Sequence, residues 1–355
     1  MNKKAIDKLL LHPVSWLANS DPNESIAISS RIKLARNLSG LTFPINSSES
    51  EQNKVLSITS SIIRKNKILN NVMEFNINSL SDIDRCFLLE RHLMSRDFCK
   101  EGSGGRCLMI NEAESCSIMI NEEDHMRTQL IQPGLSLQSI WTVIDEIDNR
   151  LSKNISFAYN KTLGYLTSCP TNVGTGMRAS VMLNLPGLVL AGHLDAVVRG
   201  ISKLGIVVRG LYGEGSECVG NLYQVSNQST LGESELQIIQ RLKNIIQQII
   251  NHEKNARLKL LETKQNFLQD HIGRAYGVMR YSYILSSKEA LNSLSILRMG
   301  VDMKMFTLLD IDSINELFIS TQPAHLQKYS LKKLTLAERD TLRAKIVREK
   351  LQKSS

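Results

Sequence analysis

Ser168-Cys169-Pro170-Thr171-Asn172-Val173-Gly174-Thr175-Gly176-Met177-Arg178-Ala179-Ser180 is the stretch on which the reading of this chain turns. A hydrophobic, β-prone run from Ser156 to Thr167 precedes it, and an apolar segment from Val181 to Leu190 follows. The pattern predicts a strand ending at Cys169 and then a turn built on Pro170, Asn172 and two glycines. Glycines let an anion approach the main chain, so such a turn can aim several backbone N–H groups at a phosphate. Arg178 would add a guanidinium fork suited to phosphate oxygens. Taken alone, the stretch fits a Gly-rich connector with a surface arginine as well as a phosphate site.

The chain has 355 residues, enough for one large or two ordinary domains, with the 42% hydrophobic and 22% charged content of a globular protein. No apolar run approaches the roughly 18 to 20 residues of a membrane span. The start, Met1-Asn2-Lys3-Lys4 followed by amphipathic Ile6 to Leu11, lacks a signal-peptide cleavage pattern, and a cytoplasmic protein without membrane contact is expected. Six cysteines without a Cys-x-x-Cys pair, and seven scattered histidines, argue against a structural zinc site or a disulfide framework. The formal net charge of +8 is spread along the chain and accompanied by only 5% aromatics. That distribution disfavours nucleic acid as a partner and leaves nucleotides or acidic partners.

Upstream, a short helical segment is expected over Lys3 to Ala18. Polar and apolar residues alternate from Ser30 to Leu34, which places Arg31 and Lys33 on one face of a strand, ordinarily a solvated one. Helices are expected over Glu49 to Asn70 and Ser81 to Met94, and the second carries His92, where a capping or packing role is the usual one. Glu101 to Arg106 has the wrong glycine spacing for a dinucleotide fingerprint and reads as a mobile loop. Arg106 to Asn111 and Ser115 to Ile120 read as a β-hairpin that delivers Asn121-Glu122-Glu123-Asp124-His125-Met126-Arg127. By itself that acidic run suggests a solvated turn. Helices over Gln138 to Lys153 and Leu194 to Leu204 follow, and then a strand from Ile206 enters a Gly-rich loop around Glu214.

Four of these blocks, in this order, resemble the signature of the phosphagen (guanidino) kinases: Ser29-Ser30-Arg31-Ile32-Lys33, Asn121 to Arg127, Cys169 to Ser180, and Val208 to Glu214. The resemblance covers about Ile26 to Glu253. It implies an α+β fold in which an antiparallel β-sheet flanked by helices forms the catalytic domain, residues 26–254. A short N-terminal helical segment, 1–25, precedes it and an all-α C-terminal domain, 255–355, follows. It implies ATP with Mg2+, the metal held mainly by ATP. The implied ATP contacts are Ser29, Ser30, Arg31, Ile32, Lys33, His92, Arg127, Arg178, Ala179, Ser180, Val181, Met182, Arg209, Gly210, Leu211, Tyr212, Gly213 and Glu214. Lys33 departs from the family, which usually has Arg there; lysine keeps the charge and loses the bidentate fork.

The chemistry sets two requirements. A triphosphate needs cations around it, and the acceptor guanidinium, whose pKa exceeds about 12, needs carboxylates. Arg31, Lys33, Arg127, Arg178 and Arg209 answer the first. Glu123 and Glu214 answer the second, and the resemblance makes Glu123 the base and Glu214 the orienting clamp. Cys169 resembles the family's reactive cysteine, which helps orient the acceptor without forming a phospho-enzyme.

Family members acting on small guanidines carry a helical lid domain ahead of the catalytic one, whereas only Met1 to Ser25 precede the first block here. The blocks resemble the bacterial branch that phosphorylates arginine side chains in proteins. That branch implies stress-response regulation, delivery of marked proteins to a Clp ATPase and its protease, the zinc-containing activator McsA, and a homodimer. In the final helix, Arg339-Asp340-Thr341-Leu342-Arg343-Ala344 is by default a charged surface stretch, with Arg339 and Arg343 four apart on one face. It also resembles that branch's allosteric phosphoarginine-binding motif, with Arg339, Asp340, Arg343 and Ala344 as the site. The competing readings are a kinase for free arginine and a non-catalytic phosphoarginine-binding adaptor.

Overall fold

The computed structural model describes residues 2–18, 25–102, 104–210, 218–306, 309–330 and 332–353. Ten strands and their connecting helices are named in chain order. The strands are β1 (Ala27–Arg36), β2 (Met73–Asn76), β3 (Cys107–Ile110), β4 (Cys116–Ile120), β5 (Met126–Pro133), β6 (Tyr159–Asn160), β7 (Gly164–Tyr165), β8 (Met177–Asn184), β9 (Ile206–Arg209) and β10 (Leu222–Asn227). The helices are α1 (Asn2–Leu10), α2 (Glu49–Lys65), α3 (Asp82–Glu90), α4 (Arg96–Cys99), α5 (Leu137–Ser152), α6 (Pro186–Leu190), α7 (Leu194–Ser202), α8 (Glu235–Thr263), α9 (Gln265–Tyr281), α10 (Ser287–Asp302), α11 (Ile311–Ser320), α12 (Pro323–Tyr329) and α13 (Leu336–Lys353). None of the described helices is long and apolar enough to cross a membrane.

An eight-stranded antiparallel sheet in the order β2-β3-β4-β5-β1-β8-β10-β9 organises the first two thirds of the chain. Its strands alternate as a half-polar sheet must. Ile32 and Leu34 of β1, Leu130 of β5, Ala179 and Val181 of β8 and Val225 of β10 pack on α2, α5 and α8. The other face is divided. At one edge Leu108, Ile110 and Met119 meet Phe87 and Leu88 of α3 and Ile6 and Leu9 of α1. At one end of the central strands Ile28, Ile131, Met182 and Leu222 meet Trp16 and the C-terminal helices. Between these apolar patches lies a polar field that the alternation of β1, β5, β8, β9 and β10 creates.

Helix starts follow their sequence signals. Ser48 and Glu51 cap α2 reciprocally, and Ser81 and Ser286 cap α3 and α10 through the N–H groups of Asp84 and Glu289. Thr335 and Glu338 cap α13 in the same reciprocal way. The expected hairpin is β3–β4, in register Ile110↔Ser117.

Elsewhere the expectation needs correction. The run before Cys169 does not make a strand; it folds into the small β6–β7 hairpin. The side chain of Asn160 accepts from the N–H groups of Thr162 and Leu163, closing a turn that ends any longer strand. The long strand follows the motif instead, as β8, and carries Arg178. Residues 254 and 255, the expected meeting point of the two domains, lie within α8, which runs unbroken to Thr263. β2, β5, α11 and α12 were not anticipated.

Candidate active site

The polar field is a cavity of about 550 Å³. Arg31 and Lys33 reach it from β1, Arg127 from β5, Arg178 and Ser180 from β8, and Arg209 from β9. The strand register explains the crowding: Lys33 lies opposite Arg178 and Arg31 opposite Ser180. Mutual repulsion is the consequence. Burial, with Arg178 beside it, pushes Arg31 down to about 10. Burial also drives the Lys33 ammonium well below its ordinary value, helped by Arg31, Arg127 and Arg178 and opposed by Glu122. His92 is pushed down to about 3 by burial and by Arg31 and Lys33, so its imidazole is neutral. Such a cavity favours an incoming polyanion.

The acidic turn closes one side. Asp124 is fully buried and its carboxylate accepts from Asn37 Nδ2 and the Ser168 N–H, each at 2.8 Å. Ser168 Oγ donates to the Glu123 carbonyl at 2.6 Å. These bonds tie the cysteine loop to the acidic turn and hold Cys169 on the same cavity as Glu123. Cys169 Sγ lies 3.0 Å from Thr171 Oγ1. Arg127 lies among Glu122, Glu123 and Asp124 and bonds each of them. Burial works against its charge, but Glu122, Asp124 and Glu123 together outweigh that and hold the guanidinium above its ordinary value. Of the three carboxylates, Asp124 and Glu122 are 0% and 4% exposed at the side chain, whereas Glu123 is 40% exposed. Of these three, Glu123 is the one exposed enough to meet a second guanidinium.

The glycines act differently from the expectation. Thr175 N donates to Thr230 O at 2.9 Å, Gly174 N to Tyr165 O at 3.3 Å, Val173 N to Pro170 O at 3.3 Å and Asn172 N to Cys169 O at 3.0 Å. These four successive N–H groups are therefore already bonded within the protein and are not offered to an anion. Gly174, at φ +111°, is required because a Cβ would come within 2.2 Å of the Thr230 carbonyl. The turn is therefore a packed brace, and anion binding falls to the side chains.

The remaining sequence-derived residues divide clearly. Ile32, Ala179 and Val181 point into the core behind the sheet, and Met182 packs toward the C-terminal helices. Ser30 Oγ donates to Gly134 O at 2.7 Å and accepts from Ser136 N, while Ser29 and Gly210 also lie outside the cavity lining. Leu211, Tyr212, Gly213 and Glu214 fall outside the described residues. Sequence reasoning missed Glu122, Arg106 and Gln224, which line the cavity. Glu122 could have been found, since it shares the acidic run; Gln224 has no local signal.

In the final helix Arg343 is 2% exposed and its donors are engaged: Nε by Thr321 O and Nη1 by Leu285 O, both at 2.8 Å, and Nη1 also by Asp340 at 2.5 Å. Ala344 is buried as well. Arg339 is half-buried, and its Nε has no hydrogen-bond partner.

Comparison with known proteins gives a consistent result. The family model "ATP:guanido phosphotransferase, C-terminal catalytic domain" matches residues 54–256, and "Protein-arginine kinase McsB C-terminal domain" matches residues 265–355. A protein-arginine kinase from Halothermothrix orenii is 43% identical over 353 residues, covering 98% of this chain and 99% of that one. One from Bacillus cereus is 41% identical over 355 residues, covering 98% of each. Among solved structures, that of a lombricine kinase matches with a TM-score of 0.57 at 24% identity, covering 69% of this chain and 70% of that one, and so shares the fold. The cation cavity, an accessible carboxylate that shares it with a cysteine and the extent of these matches lead to one assignment: the chain belongs to the ATP:guanido phosphotransferase family.

Proposed function

We propose that this chain is an ATP-dependent kinase that phosphorylates arginine side chains in proteins. The observation that carries the reading is the cation cavity with the accessible carboxylate of Glu123 and the thiol of Cys169 on its wall, in a chain similar along its whole length to protein-arginine kinases. The triphosphate binds among Arg31, Lys33, Arg178 and Arg209, with His92 at the cavity wall. A guanidinium nitrogen of the acceptor attacks the γ-phosphorus, an N–P bond forms, and the P–O bond to the departing ADP breaks. Glu123 takes the proton that leaves the nitrogen. Cys169 and Glu214 orient the acceptor. Catalysis is thus mainly positioning and charge compensation.

Mg2+ fits as a passenger of the nucleotide. Besides Glu123, the carboxylates lining the cavity among the described residues are Glu122, engaged by Arg127 and Ser95, and Asp97, engaged by Lys100, and no group of three potential ligands exists among those residues. The metal supplies further charge neutralisation on the phosphates.

Incubation with labelled ATP and an unfolded protein tests the reading. Label is expected in the protein in a form lost in acid and kept in base, because a P–N bond hydrolyses once its nitrogen is protonated. Acid-stable label on serine or threonine contradicts it, and transfer to free arginine alone favours the small-substrate alternative.

A second expectation concerns protons. Lys33 is depressed in the ligand-free cavity and a triphosphate favours its charged form, so binding raises its pKa. Between the two values nucleotide binding takes up a proton, and affinity falls as pH rises through that window. Calorimetry in buffers of different ionisation enthalpy should show this uptake. Lys33→Arg, whose charge does not titrate, should flatten the pH dependence; an unchanged slope would assign the proton elsewhere.

The motif in α13 is the proposed phosphoarginine site. Arg339 is half-buried there with a covered Nε that has no hydrogen-bond partner, and Arg343 and Ala344 are buried. The resemblance extends the reading to a homodimer in the cytoplasm, activation by McsA, and delivery of marked proteins to a Clp ATPase in the stress response.

A further inference from the structure

His92 has an uncomfortable backbone for a cavity residue. It follows the C-terminus of α3 at φ +59°, a left-handed position that glycine or asparagine occupies most easily. His92 N donates to Leu89 O at 2.9 Å and Leu93 N to Leu88 O at 3.1 Å, the paired bonds of a Schellman-type helix end. A histidine stays in such a conformation only when its surroundings fix it. Gln129 Nε2 donates to the His92 carbonyl at 2.7 Å. Trp16 Nε1 donates to the neighbouring Arg91 carbonyl at 3.2 Å, and its ring meets the imidazole edge-on at 4.8 Å. The Arg91 fork holds Glu114 by two bonds of 2.6 Å.

The remaining support comes from the far end of the chain. Glu90, the last residue of α3, is buried, and its carboxylate accepts from the N–H groups of Ala324 and His325 at 2.8 and 3.0 Å. One of its oxygens also lies 2.7 Å from His325 Nδ1. Burial lowers the pKa of His325 and outweighs the pull of Glu90, so the ring is neutral and its hydrogen sits on Nδ1, facing the carboxylate. Two residues of the C-terminal half thus grip the residue two positions before His92. Their helix, α12, is itself fixed from behind, because the Thr321 carbonyl at its entrance accepts from Arg343.

We infer that Glu90 and His325 form a clasp through which the C-terminal helices hold His92 in place for nucleotide binding, making both of them positioning residues of the active site. The inference rests on the reading of the cavity as the nucleotide site. It separates from general docking of α12, because Lys328 also joins α12 to α3, through Asp84 at 2.7 Å, but at the opposite end of α3 from His92.

The test is the KM for ATP and kcat of four variants, each with a thermal melt. His325→Leu removes the Nδ1 donor and should raise the KM for ATP about tenfold with kcat within about twofold, the size of one lost hydrogen bond to a charged group. His325→Asn, whose amide N–H can replace Nδ1–H, should restore most of the loss. Lys328→Ala should lower the melting temperature without moving KM. His92→Ala should raise KM at least as far as His325→Leu does. If His92→Ala raises KM and His325→Leu does not, the clasp is overturned and the nucleotide site stands. If His92→Ala leaves KM unchanged, the nucleotide role of His92 falls and the clasp with it. Equal KM effects from the His325 and Lys328 variants would also overturn the clasp, since docking in general would then be responsible. Should His325→Leu not fold, Glu90→Gln keeps the side-chain shape, withdraws one acceptor oxygen, and carries the same expectation.

Discussion

Glu123→Gln should lower turnover by at least about 10²-fold while leaving ATP affinity close to that of the unaltered protein. The amide keeps the size of the carboxylate but can neither take a proton nor pair with a guanidinium through two oxygens. Asp124 cannot substitute, since it is fully buried and engaged by Asn37, Ser168 and Arg127. Glu122 cannot either, being held by Arg127 and Ser95. Arg127 is the reason ATP affinity should hold: with Glu122 and Asp124 still beside it, losing one of three carboxylates leaves its guanidinium in place. Single-turnover rates and nucleotide titration separate the two quantities. Full turnover in this variant would remove Glu123 from the chemistry, and a large loss of ATP binding would move it to the phosphate end.

Arg178→Ala should weaken ATP binding by roughly 10- to 100-fold, the range for one charge-assisted hydrogen-bonded contact. Arg178 stands across the strand from Lys33, near Ser226 Oγ at 3.4 Å, and points into the cavity from the sheet's centre. Its loss also relieves repulsion on Arg31, because Arg178 is one of the two causes depressing that residue. Thermal stability of the ligand-free protein should therefore hold or rise as affinity falls. A drop in stability with unchanged affinity would show Arg178 to be a structural residue.

What could be read in the sequence was local. The alternation at Ser30 to Leu34 placed Arg31 and Lys33 on one face, and the cavity contains both. Helical spacing located α2 and α3, and the Ser286 and Thr335 capping signals mark the starts of α10 and α13. β5 escaped because Thr128 and Gln129, both buried, blur its apolar rhythm at the centre of the sheet. β2, at four residues, is too short for a periodicity to register. The glycine turn was misread because the N–H partners of Gly174 and Thr175, the carbonyls of Tyr165 and Thr230, come from other segments. Spacing put Arg339 and Arg343 on one face but could not reveal that the second is covered by Thr321 and Leu285. Glu90 and His325 are 235 residues apart, and no local pattern links them.

The unbroken course of α8 bears on how the protein could be divided. At about 1.5 Å per residue its 29 residues form a rod of roughly 43 Å, and residue 254 lies well inside it. The bonds near that point run both ways. The Glu253 carboxylate accepts from the N–H groups of Gly187 and Leu188, each at 2.8 Å, in the sheet-bearing half. One turn on, Arg257 binds Glu253 at 2.7 Å and Asp302 of α10 at 2.5 Å. A truncation at 254 would strip Glu253 of its cationic neighbour and leave a severed helix end with unpaired carbonyls. Lys264, where the backbone already leaves helical geometry, is the nearest joint at which a shortened polypeptide would keep Glu253, its two N–H donors and Arg257 together, with only the Arg257–Asp302 bond parted.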